Sequence, residues 1–134
     1  MSIFLDSSAL LSLHIDAPAR STVREALDGD RTWVACAIAL GETCAAIARL
    51  TDEPVLRRHL EDMVRHTWDH LHVVPVDQAL LDDAAALCGE QPVTMSASLH
   101  LSAARRLPQP VSFVTFEASH IPVAYSMGFT VVSG

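Results

Sequence analysis

Ser2-Ile3-Phe4-Leu5-Asp6-Ser7-Ser8-Ala9-Leu10-Leu11 is the stretch whose reading decides the fold. The unbroken apolar run Ile3, Phe4, Leu5 fits a strand covered on both faces, as in a parallel sheet, rather than a strand with one wet face. Asp6 then falls at the carboxyl end of that strand. In open α/β sheets that edge is where loops diverge, helix N-termini face the crevice and ligands bind. Asp6, Ser7 and Ser8 are equally good N-cap residues for a helix starting near Ala9, so the carboxylate reads as either a cap or a ligand.

Outward from this stretch the chain alternates. Ala9 to His14 reads as a short helix stopping near Asp16 and Pro18, because the residue before a proline avoids the α region. A second helix runs from about Ala19 to Leu27 and ends at Asp28-Gly29-Asp30. Trp33 to Cys36 is a strand, and Ile38 to Leu50 a helix with Leu40, Cys44, Ile47 and Leu50 at helical spacing. Thr51, Asp52 and Pro54 mark a new start, leading into an amphipathic helix through His70 with Leu56, Leu60, Met63 and Val64 as its apolar stripe. His72 to Val76 is a strand, and Gln78 to Cys88 a helix capped by Asp77. Ser96 to Arg106 is helical, with Thr94 or Ser96 as cap. Val111 to Phe116 is a strand ending in Glu117, a short helix follows around Ser119 to Ser126, and Phe129 to Val132 is the last strand. Strands alternating with helices predict a single α/β domain over residues 1–134 with a mainly parallel sheet.

A chain of 134 residues is long enough to bury an ordinary core without disulfides or a structural metal. No apolar stretch approaches the roughly 20 residues needed to cross a bilayer, so no membrane role is expected. The N-terminus lacks the basic start and long apolar region of a signal peptide, which predicts a cytoplasmic protein. Cys36, Cys44 and Cys88 have no CxxC spacing and read as small buried residues rather than a disulfide framework or a zinc site. The net charge of −7 means that any polynucleotide is held locally or through metal ions. All nine basic residues are arginine, suited to bidentate contacts where they cluster. His66 and His70 have the i, i+4 spacing a metal accepts, but with no third ligand in view they read as solvated or partner-facing.

The carboxylates carry the chemistry. Asp6 and Glu117 each end a strand, and Glu42 interrupts an apolar helical face. Gathering carboxylates is costly unless cations neutralise them, so such clusters hold Mg²⁺ or Mn²⁺ through hard oxygen ligands. Paired ions about 4 Å apart activate water for phosphodiester cleavage.

In order along the chain, Leu5-Asp6-Ser7-Ser8-Ala9-Leu10, Ala39-Leu40-Gly41-Glu42 with Arg49 beyond, Ser98-Leu99-His100-Leu101-Ser102-Ala103, and Phe113-Val114-Thr115-Phe116-Glu117 resemble the PIN-domain ribonucleases, especially the VapC-type toxins of toxin–antitoxin pairs. The resemblance spans essentially the whole chain. It implies a PIN-like three-layer α/β fold, a mainly parallel central sheet flanked by helices, and Mg²⁺- or Mn²⁺-dependent endonucleolytic cleavage of RNA. Carried over, the catalytic and metal-holding acids are Asp6, Glu42 and Glu117, the last standing where the family more often has Asp. Ser8 supports the metal site or caps the helix. Arg49 reaches a phosphate, holds Glu42, or forms a surface salt bridge. The family's third acid should stand two positions before Leu99, and there this chain has Ala97. Ser96 and Ser98 point about 100° away on the helix and cannot simply replace it. His100, one turn on, faces the pocket or packs in the core. The resemblance also implies a cognate antitoxin docking on the N-terminal helices, and a homodimer or toxin–antitoxin hetero-oligomer. A non-catalytic PIN domain that binds antitoxin or RNA is the alternative.

Overall fold

Five short strands form one sheet in the order β3-β2-β1-β4-β5, with every pairing parallel. The computed structural model describes residues 2–15, 17–28 and 32–133, so the helix stops expected at Asp16 and at Gly29-Asp30 lie outside the described residues. Strand β1 (Ser2–Leu5) is central and wholly buried, which is why its apolar run is unbroken. It pairs with β2 (Trp33–Cys36) on one side and β4 (Val111–Val114) on the other, Phe4 lying opposite both Val34 and Phe113. β3 (His72–Val74) and β5 (Thr130–Val132) form the edges.

Alternating side chains of β1 feed two cores, one on each face of the sheet. Ile3 and Leu5 pack with Leu10 and Leu13 of α1 (Ser7–Ile15), Val23 of α2 (Ala17–Asp28), Ile47 of α3 (Ile38–Leu50) and Val64 of α4 (Pro54–Trp68). Phe4 points the other way. It joins Leu80 and Leu87 of α5 (Gln78–Glu90), Leu101 of α6 (Met95–Arg105) and Val123 of α7 (Ile121–Ser126). The result is the expected three-layer α/β arrangement. The chain leaves β1 toward β2 and β3, then returns to the other side of β1 as β4. The carboxyl ends of β1 and β4 therefore flank the switch point, the position at which open α/β sheets bind ligands.

Local departures from the sequence pattern have local causes. Helix α1 begins at Ser7, because Asp6 itself is the cap: its Oδ1 accepts from the Ala9 N–H at 3.0 Å, and its carbonyl from Leu10 at 3.1 Å. Glu53, not Thr51 or Asp52, caps α4. Pro54 has no N–H to satisfy, so the Glu53 carboxylate closes on the next two donors, Val55 at 3.2 Å and Leu56 at 2.7 Å. Within α4 the buried side is Val64 with Leu60 half-buried, while Leu56 and Met63 are exposed, so the expected apolar stripe is only partly covered. Asp77 and Thr94 cap α5 and α6 as expected. Of the three free cysteines only Cys36 is buried; Cys44 and Cys88 are half-buried. Gly128, at φ 86, supplies the left-handed turn that ends α7 and starts β5.

Phe113 sits in the middle of an aromatic stack, on Phe4 at 5.5 Å and on Phe129 at 5.8 Å, and is wholly buried. Phe113→Ala should lower unfolding stability by about 3–5 kcal/mol. The measurement is a fall in the urea midpoint with an unchanged slope.

Candidate active site

Asp6 leaves β1 at the switch point with no solvent exposure, and a buried carboxylate there demands donors. It has three. Ser8 Oγ donates to Oδ1 at 2.6 Å, the Ala9 N–H donates to the same oxygen, and His120 Nδ1 lies 2.9 Å from Oδ2. Burial alone raises the Asp6 pKa, but hydrogen bonding from His120, Ser8, Thr115 and the Ala9 amide together holds it below the usual carboxylate value. The ionised carboxylate can only accept, so His120 Nδ1 carries the proton of that bond. Ser8 in turn accepts from the Phe116 N–H at 2.8 Å, which ties the start of α1 to the segment after β4.

Glu42 projects from the first turns of α3, where the carboxyl end of β2 delivers the helix to the same edge. Ser7 Oγ donates to its Oε1 at 2.6 Å, and His100 Nε2 stands 2.7 Å from the same oxygen. Ser96 Oγ donates to Oε2 through a short bond. The hydrogen bond from His100, opposed by burial and aided by the two hydroxyls, pulls the Glu42 pKa from 4.5 down to about 2. His100 comes from the buried face of α6 and meets Phe4 edge-on at 6.5 Å, so it both packs in the core and faces the pocket. Its Nδ1 is buried without a hydrogen-bond partner.

These groups meet at a cavity of about 360 Å³ lined by Ser7, Ser8, Glu42, Thr94, Ser96, His100, Glu117, Ser119 and His120. Glu117 is exposed at its mouth and accepts from Ser119 Oγ at 3.2 Å. The three acids read from the sequence therefore gather at one edge, Asp6 beneath the cavity and the other two in its wall. Ala97 is buried at the start of α6 and contributes no oxygen; its N–H goes to the Thr94 cap at 3.2 Å. Ser96, expected to point elsewhere, reaches Glu42, though as a hydroxyl donor and not in place of the acid. Ser98 is turned inward, donating to the Ala84 carbonyl at 2.6 Å. Arg49 is exposed and holds no part of Glu42; it borders a second cavity of about 260 Å³ that shares Ser7, Ser8 and Glu42 with the first. His120 and Ser7 were missed in the sequence. His120 is delivered by a 3₁₀ turn (Ala118–His120) after Glu117, a placement no spacing rule announces.

A divalent ion needs several oxygen ligands with lone pairs free to turn toward it. Here each of Asp6 and Glu42 already accepts three protein hydrogen bonds, and an imidazole stands against each. Among the described residues no group of three or more His, Cys, Asp or Glu converges as a metal would require. As arranged, the donor set does not fit a Mg²⁺ or Mn²⁺ ion.

Solved structures with the same fold include a toxin–antitoxin complex from Klebsiella pneumoniae, with TM-score 0.70, 16% identity, and 97% of this chain and 95% of that chain covered. VapC20 of Mycobacterium tuberculosis, a toxin that cleaves the sarcin–ricin loop, aligns with TM-score 0.72, 15% identity and coverage of 90% and 94%. VapBC2 of Rickettsia felis bound to a promoter DNA fragment aligns with TM-score 0.70, 12% identity and coverage of 100% and 99%. No curated protein matches by sequence. Among the described residues no helix is long and apolar enough to cross a membrane. The family model for the PIN domain matches residues 3–132, nearly the whole chain, and this protein belongs to the PIN-domain family.

Proposed function

We propose that this chain is the toxin-type member of a cytoplasmic toxin–antitoxin pair, and that its pocket, in the sequence as it stands, binds a partner rather than cutting RNA with a divalent ion. One observation carries this reading: Asp6 and Glu42 are each satisfied by three protein donors, with Ala97 where the third acid would stand. Glu117 remains exposed at the mouth, free to receive a basic side chain of an antitoxin. The net charge of −7 favours such a basic partner over a polyanion. The toxin–antitoxin complexes among the fold's neighbours support the pairing, as a homodimer or a hetero-oligomer with antitoxin.

A second reading is favoured by the placing of Asp6, Glu42 and Glu117 around one cavity at the switch point. On that reading the chain is an Mg²⁺- or Mn²⁺-dependent endoribonuclease working with three acids. The two are separated by one set of assays on a structured RNA. The chain as written should show no metal-dependent cleavage, whereas Ala97→Asp should raise Mn²⁺ affinity by about tenfold or more, because affinity follows the count of charged oxygen ligands. Metal-dependent cleavage by the unaltered chain that vanishes in Asp6→Asn would establish the second reading and overturn the first.

The same hydrogen bonds predict a pH dependence. Glu42 has a folded pKa of about 2, below its ordinary 4.5, so its stabilising contribution is fully present above the ordinary value and is lost as pH falls toward 2. His100→Gln removes the main cause of the shift. Urea midpoints recorded from pH 6 down to 2.5 should fall less steeply below pH 4.5 in that variant, with the share due to Asp6 retained.

A further inference from the structure

On the α1–α2–α4 side of the molecule two adjoining cavities, about 290 and 430 Å³, share His14, Arg24, His66 and Thr67. Four of the seven histidines line them: His14, His59, His66 and His70. The PIN pocket uses none of these. His66 lies in the last turn of α4 and His70 in the turn after it. Their rings meet edge to face with centroids 5.1 Å apart, both side chains exposed and both lining the smaller cavity.

The decisive detail is the bond that fixes His70. Its Nδ1 lies 2.9 Å from the main-chain carbonyl of His66. A carbonyl only accepts, so Nδ1 carries the hydrogen, and in the neutral ring the lone pair is left on Nε2. This is the arrangement by which proteins orient a histidine toward a metal, with the second ring nitrogen held by a backbone oxygen. His14 is differently employed, its Nε2 standing 3.0 Å from Thr67 Oγ1. Among the described residues no third His, Cys, Asp or Glu converges with the pair.

We infer that His66 and His70 form a two-point surface chelate for a borderline divalent transition-metal ion of the Zn²⁺, Ni²⁺ or Cu²⁺ class, with water completing the coordination. Imidazole donors suit these ions and not Mg²⁺ or Ca²⁺. The ion links the last turn of α4 to the turn that leads into β3, across a segment otherwise held by the main-chain bonds of Asp69, His70 and Leu71.

The test is titration of the metal-free protein with Ni²⁺ or Zn²⁺ alone, read by calorimetry, with paramagnetic broadening of imidazole resonances by Ni²⁺ to locate the ion. The expected result is a saturable site at His66 and His70, weakened about tenfold or more in each of His66→Gln and His70→Gln. It should be unchanged in His72→Gln and not displaced by excess Mg²⁺. Binding of equal strength in the wild type and both glutamine variants would overturn the assignment, as would broadening centred on His100 and His120 or absence of binding to the wild type.

Discussion

The structure depends on one buried charge. Asp6 has no contact with solvent, yet it is ionised, so its position at the end of β1 is tenable only while His120, Ser8 and the Ala9 amide stay in place. Those donors come from two parts of the chain more than a hundred residues apart. Ser8 and Ala9 belong to the helix that Asp6 starts, and His120 to the turn after β4. Ser8 extends the set by accepting from Phe116. The carboxylate thus fastens together the two sides of the sheet's switch point, and the pocket above it inherits a fixed floor.

Glu42 repeats this pattern in the pocket wall, with His100 in the role of His120 and Ser7 in that of Ser8. The adjacent residues Ser7 and Ser8 therefore serve different carboxylates, because they stand at successive positions of the first turn of α1 and diverge by about 100°. Each carboxylate is matched by an imidazole and a hydroxyl. Of the three acids, Glu117 at the mouth is the one with a single side-chain donor, Ser119.

Much of this was legible in the sequence. The run Ile3-Phe4-Leu5 announced a strand buried on both faces, and the alternation of strands and helices announced a mainly parallel α/β sheet, because burial periodicity is a local signal; the three-layer arrangement came from the family resemblance. Asp6, Glu42 and Glu117 stood out singly as charges that interrupt or end an apolar pattern, and the family resemblance grouped them. Their hydrogen-bond partners were not. His120 stands 114 positions from Asp6, and His100 58 from Glu42, so only the closed fold brings them together. The contact of Ser96 with Glu42 was out of view for a related reason: a 100° offset on α6 keeps Ser96 from the position of the missing acid but lets its hydroxyl reach Glu42 from beside it.

The cap and ligand readings of Asp6 are not alternatives. Oδ1 is committed to the helix, taking both Ser8 and the Ala9 N–H, while Oδ2 faces His120. A carboxylate divided in this way can start a helix with one oxygen and present the other to whatever charge stands above it. In this chain the group that stands there is the His120 imidazole, its Nδ1 2.9 Å from Oδ2. At the start of α6, Ala97 adds no oxygen to this edge, and its N–H goes to the Thr94 cap.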